Sequence, residues 1–210
     1  MTTASGNLYV ISAPSGAGKT SLTRKLVEQL NHPAQTVAFS ISTTTRAARP
    51  GETHGVDYLY VDKPQFQEQI NQAAFLEHAQ VFGNYYGTSQ AQVELELKKG
   101  RDVILEIDWQ GAQQVRKQAP NCISIFILPP SRAELERRLR SRGQDSDDVI
   151  NGRMREAVNE MAHFAEFDYL VINDYFDLAL SQLNAIFQAN RVTQQAQAAR
   201  SIELIGSLLA

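Results

Sequence analysis

An apolar run, LYVI (8–11), leads directly into SAPSGAGKTS (12–21) and then into TSLTRKLVEQL (20–30), whose Leu22, Leu26, Val27 and Leu30 share one helical face. A strand that turns through a glycine-bearing loop into a helix presents consecutive backbone N–H groups at the helix's positive end, where an anion is favoured. The Walker A pattern is a glycine, four free positions, then Gly-Lys-Ser/Thr. Gly18, Lys19 and Thr20 fit it, while Ala13 stands where the first glycine belongs. An alanine there is strained only if the backbone needs φ > 0, and Gly16 and Gly18 remain for the sharpest part of the turn. Ala13, Pro14, Ser15, Gly16, Ala17, Gly18, Lys19 and Thr20 are therefore expected to cradle the phosphates of ATP or a similar triphosphate. Lys19 reaches the β- and γ-phosphates and the Thr20 hydroxyl ligates Mg²⁺. Such a loop by itself spans kinases, switch GTPases, motors and helicases, so the second substrate must decide among them.

The strand candidate NLYVIS (7–12) is joined by RDVILEID (101–108), CISIFIL (122–128) and DYLVIN (168–173), all apolar almost throughout. Strands buried on both faces by helices have this character, which predicts an α/β chain with a central parallel sheet, the three-layer P-loop fold. Two stretches break the rhythm. Residues 41–89 hold the turn signals RPGE and GNYYG, the alternating run DYLYV and a short helix around PQFQEQI, and read as a small mixed insert with antiparallel strands. Residues 131–156 are polar and carry seven of the fourteen arginines. The expected organisation is one domain: a core of 1–40, 90–130 and 157–210, the insert 41–89, and a helical lid 131–156.

A chain of 210 residues buries a sizeable core, and a net charge of −3 offers no overall basicity for nucleic acid or an anionic membrane. Cys122, the one cysteine, lies within an apolar run and reads as a small buried hydrophobe; a single cysteine excludes an intrachain disulfide. MTTASGN lacks the features of a signal peptide and no apolar run approaches membrane-spanning length, so the cytoplasm is expected. The last segment spaces Ile202, Ile205, Leu208 and Leu209 helically, to cover either the core or a partner subunit, and a homo-oligomer stays open.

Residues 42–61, STTTRAARPGETHGVDYLYV, resemble the guanylate kinase signature at Thr44, Thr45, Arg46, Arg49, Glu52, Gly55, Tyr58, Tyr60 and Val61. With GNYYGT (83–88) after it and the phosphate loop before it, the resemblance covers roughly residues 7 to 190. It implies a bacterial-type kinase that moves the γ-phosphoryl group of ATP to GMP, with Mg²⁺ as cofactor. It also implies that Ala13 is tolerated, since the family accepts SAPSGAGK. The residues make chemical sense on their own terms. Planar guanidinium groups bind phosphate oxygens bidentately, and Arg46 and Arg49 supply two in a loop bent by Pro50-Gly51, with the Tyr58 and Tyr86 hydroxyls as further donors. A carboxylate accepts from guanine's N1–H and amine, whereas adenine's N1 lone pair is repelled. By resemblance Glu77 is that carboxylate, with Ser42, Thr88 and Asp108 completing the ring.

DVILEID ends in Glu106 and Asp108, an apolar run followed by acids that suits Mg²⁺ held through water; which acid serves the metal and which guanine stays open. Arg138 and Arg142 share a helical face and Arg153 lies on a second helix beyond GQDSDD, resembling the family's lid, whose arginines meet the charge of the phosphoryl group in transit. The catalytic set implied is Lys19, Arg46, Arg138, Arg142 and Arg153. Arg140 instead reads as ion-paired surface, since Glu136–Arg140 has the favourable spacing, as does Glu134–Arg138. Asn173 falls where the family contacts adenine. GMP's phosphate is already ionised, so no general base is needed and His32, His54, His78 and His163 have no catalytic task. Two rival readings fit the sequence less well. A non-catalytic interaction module of this fold loses loop or lid residues that this chain keeps, and a kinase for another phosphorylated acceptor does not need Glu77 with TTRAARPGE and GNYYGT.

Overall fold

A computed structural model describes residues 5–31, 36–81, 83–141 and 147–210. Arg142 and His32 lie outside them. Along the chain run β1 (Leu8–Ser12), α1 (Lys19–Leu30), β2 (Val37–Phe39), β3 (Thr43–Thr44), β4 (Leu59–Tyr60), α2 (Lys63–Asn71), β5 (Phe75–Val81), β6 (Asn84–Ser89) and α3 (Gln90–Lys98). Then follow β7 (Asp102–Glu106), α4 (Trp109–Gln118), β8 (Ile123–Leu128), α5 (Arg132–Ser141), α6 (Asp147–Met161), a 3₁₀ turn (Phe164–Glu166), β9 (Tyr169–Ile172), α7 (Phe176–Arg191), α8 (Gln194–Arg200) and α9 (Ile202–Leu209).

Five parallel strands form the central sheet in the order β2-β7-β1-β8-β9. Alternation along β1 divides the core between its two faces. Tyr9 and Ile11 pack with Leu22 and Leu26 of α1 and Leu183 and Phe187 of α7, where the Tyr9 and Phe187 rings stack 3.6 Å apart. Leu8 and Val10 face Val93 of α3 and Ala112 and Val115 of α4, and Cys122 is buried among them as expected. A buried ion pair, Arg191 Nη2 to Asp102 Oδ2 at 2.7 Å, ties the end of α7 to the start of β7.

The sheet matches the expectation of a parallel α/β core, with two differences. β2 was not foreseen: three residues are too short for a periodic signal, and pairing with β7 makes them a strand. β9 was expected to be buried on both faces, yet Leu170 is 46% and Ile172 43% exposed. It is the sheet's edge, and only Val171 turns into the core against α7.

Residues 43–89 form a second sheet, β4-β3-β6-β5, antiparallel except for β3 with β4, which agrees with a mixed insert. Its α2 begins with a capping box between Asp62 and Gln65. α5 and α6 pack on each other through Leu135, Leu139, Ile150 and Ala157. In α9, Ile202, Ile205, Leu208 and Leu209 are all exposed, so they do not cover the core.

Candidate active site

The phosphate loop leaves the carboxyl end of β1, which lies between β7 and β8 where the connections diverge to either side of the sheet. Open α/β sheets form their ligand crevices there. Gly16 and Gly18 take positive φ, 93° and 92°, and Ala73 alone among the described non-glycine residues does so. Ala13 is thus unstrained and packs against the core, and the missing first glycine costs nothing. α2, α3 and α4 are capped by Asp62, Ser89 and Asp108 side chains, whereas α1 starts from Gly18 with no side-chain cap and no acid in its first turn. Its first N–H groups are left for an anion.

The ends of β1 and β7 are joined by the Ser12 hydroxyl, which donates to the Ile107 carbonyl at 2.8 Å. From β7, Glu106 turns to the loop: its carboxylate accepts from Thr20 Oγ1 at 3.4 Å and from the Thr23 hydroxyl. Asp108 turns the other way and caps α4, accepting from the Gly111 N–H at 2.9 Å. The two acids open in the sequence reading therefore face different sides of the cavity.

On the far side, Glu77 of β5 is 3% exposed and accepts from Thr88 Oγ1 of β6 at 2.6 Å. Burial pushes its carboxyl up to about 7, against the lowering effect of the Thr88 bond and with the help of the Asp108 charge. α4 approaches so closely that a Cβ at Gly111 would lie 2.6 Å from Glu77 Oε2. Arg46 is held by Glu52 at 2.9 Å and lies 5.2 Å from the centre of the Tyr58 ring. Glu52 also accepts from the Arg49 N–H and the Tyr60 hydroxyl, each at 2.8 Å, and these bonds, Arg46 first, hold its carboxyl down at about 2. Tyr58 and Tyr86 meet edge to face.

One cavity of about 690 Å³ joins these parts. Ala13 to Gly16, Gly18, Lys19, Thr20 and Glu106 line it together with Ser42, Arg46, Arg49, Tyr58, Glu77, Tyr86 and Asp108. Ala17 and Thr88 stand behind the lining, fully buried. Of the arginines expected to form a lid, Arg153 lines the cavity. Arg138 does not: it donates to Glu134 Oε1 at 2.7 Å and to the Asn173 carbonyl at 3.0 Å. Arg140 is paired with Glu136 and Asp147. Asn173 is buried and hydrogen-bonded to the loop backbone, and His54 is an exposed residue accepting from the Tyr60 N–H.

Three residues at the site were missed by the sequence reading as site residues. Glu52 was noted only as part of the signature, and Gly111 had no signal. Glu160 of α6 lines the cavity and receives the Ser15 N–H; burial pushes it up to about 7. Its signal was present, because it follows Arg153 by seven residues, two helical turns on the same face.

Known proteins resemble the chain over most of its length. A family profile described as guanylate kinase matches residues 5–190. A guanylate kinase of Hydrogenovibrio crunogenus is 61% identical over 186 residues, 89% of each chain. That of Alkalilimnicola ehrlichii is 57% identical over 97% of this chain and 98% of its own, and that of Escherichia coli 55% over 99% of each. The crystal structure of guanylate kinase from Anaplasma phagocytophilum superimposes with a TM-score of 0.74 at 32% identity, covering 92% of this chain and 90% of that one.

Proposed function

The chain belongs to the guanylate kinase family, and from that premise we propose how its own residues carry out the transfer of the γ-phosphoryl group of ATP to GMP. The observation that carries the assignment is the single cavity lined by a phosphate loop together with a buried carboxylate and two arginines. The loop N–H groups and Lys19 bind the triphosphate of ATP.

Mg²⁺ fits the oxygen donors of Thr20 and Glu106. Among the described residues no cluster of three or more acids, histidines or cysteines gathers, so most of the ion's ligands are water and phosphate oxygens, as Mg²⁺ prefers. Bound there, it supplies charge neutralisation on the phosphate oxygens. Asp108 serves the guanine side instead, with Glu77, Ser42 and Thr88. Glu77 accepts from guanine's N1–H and amine, and a site of this kind rejects a mismatched base by roughly 10⁴-fold because its polar groups are left unpaired.

Arg46, Arg49, Tyr58 and Tyr86 hold the GMP phosphate in line with the triphosphate. Arg46 and Arg153, joined on closure by Arg138 and Arg142, meet the charge on the group in transit. Positioning and charge carry the reaction, since the attacking oxygen is already ionised. The insert 41–89 and the lid 131–156 are read as the moving parts on the core 1–40, 90–130 and 157–210. The chain is read as cytoplasmic, and no helix among the described residues is long and apolar enough to cross a membrane.

A coupled ADP-release assay with MgATP tests the acceptor. Turnover on GMP with AMP, UMP and CMP at background is expected; equal turnover on AMP would refute the role given to Glu77.

A further inference from the structure

Asn173 directly follows β9, and its amide is spent inside the protein. The residue is 5% exposed, and its Nδ2 donates to the Ala17 carbonyl oxygen at 2.7 Å. Its own backbone N–H donates to the Leu128 carbonyl at 2.8 Å, so the amide reaches the loop from the fixed ends of β8 and β9. Ala17 is fully buried, and its carbonyl would lose this partner where water does not reach.

The planar trans peptide sets the Ala17 C=O and the Gly18 N–H antiparallel. With the carbonyl held on Asn173, the N–H turns the opposite way, to the side on which Gly18 lines the cavity. Gly16 and Gly18 are the residues of this loop that most readily let the Ala17–Gly18 peptide rotate. The fit is close, since a Cβ on Gly18 would lie 2.4 Å from Asn173 Nδ2.

We propose that Asn173 is a positioning residue for the phosphate loop: its amide locks the Ala17–Gly18 peptide with the N–H turned to the triphosphate, and it acts through the loop and not on the adenine. The proposal rests on the reading of residues 13–20 as the triphosphate site. Arg138 uses the Asn173 backbone carbonyl, so movement of this arginine into the cavity leaves the side-chain brace intact.

Calorimetric titrations of MgATP, inorganic tripolyphosphate and GMP into the wild type, N173A and N173D test it. N173D keeps the volume but sets a carboxylate oxygen where the donor stood. Both variants are expected to lose roughly tenfold in affinity for ATP and for tripolyphosphate alike, the scale of one buried hydrogen bond, with GMP within about twofold of the wild type. A loss on ATP alone would make Asn173 an adenine contact, and unchanged affinities would give it no role; either overturns the proposal. Should N173A also lose GMP, N173D decides by the same comparison, and GMP loss in both would mark Asn173 as a folding residue and overturn it too. A wild type that binds ATP but not tripolyphosphate would instead refute the loop reading on which the proposal stands.

Discussion

A carboxylate only 3% exposed is costly to ionise, and burial holds Glu77 up at about 7. The role proposed for Glu77, accepting from guanine's two donors, needs the ionised form. GMP affinity is therefore expected to weaken as pH falls from 8 to 5.5, with a slope approaching tenfold per pH unit below 7. Titration calorimetry checks this, and E77Q separates it from the GMP phosphate's own protonation, because that variant keeps the phosphate dependence and loses the Glu77 one. A pH dependence identical in wild type and E77Q would refute the coupling. The same shift acts on stability. Between about 4.5 and 7 the folded chain holds a proton that the unfolded chain has released, so this residue's contribution is full below 4.5 and is lost as pH rises through 7. Glu77 stood out in the sequence only through its place before GNYYGT in the family resemblance. Its raised pKa was not legible there, since that depends on strands and a helix closing over it.

At the scale of the element, α5 and α6 show how a helix can carry both structure and chemistry. Leu135, Leu139, Ile150 and Ala157 glue the pair together, while Arg153 and Glu160 present to the cavity from one face of α6. R153A is expected to lower kcat by at least about 10²-fold, the scale of an arginine that meets transition-state charge, with the KM for GMP little changed. Steady-state kinetics with GMP varied check this, and a change confined to KM would make Arg153 a ground-state contact. Arg138 differs from the sequence expectation in its present geometry. The spacing from Glu134, which also favours an ion pair, is satisfied at 2.7 Å, and a role in catalysis requires the helix to move.

For the whole molecule, the cavity is lined from the ends of β1 and β7, from β5 and β6 of the second sheet and from α6, the latter two belonging to the parts proposed above to move. Closure of both over the bound nucleotides would exclude water, which otherwise competes with GMP as acceptor and wastes ATP. Small-angle scattering of the free chain and of the chain with both nucleotides is expected to show a smaller radius of gyration in the second. Equal profiles would count against closure.

The sequence alone determined what depends on neighbours along the chain. Backbone groups that cradle a phosphate must be consecutive, the two arginines proposed for the GMP phosphate stand three residues apart, and buried strands are unbroken apolar runs, so each pattern is written locally. Tertiary structure decided whatever depends on which surfaces meet. Glu106 and Asp108 are two residues apart, and only the packing of α1 and α4 against the end of β7 sends one to Thr20 and the other to Gly111. Leu170 and Ile172 read as core until the sheet ended at β9 and left them exposed. Asn173 lies 156 residues from the carbonyl it holds, and no local pattern could pair them; the parallel register of β1, β8 and β9 brings their ends together.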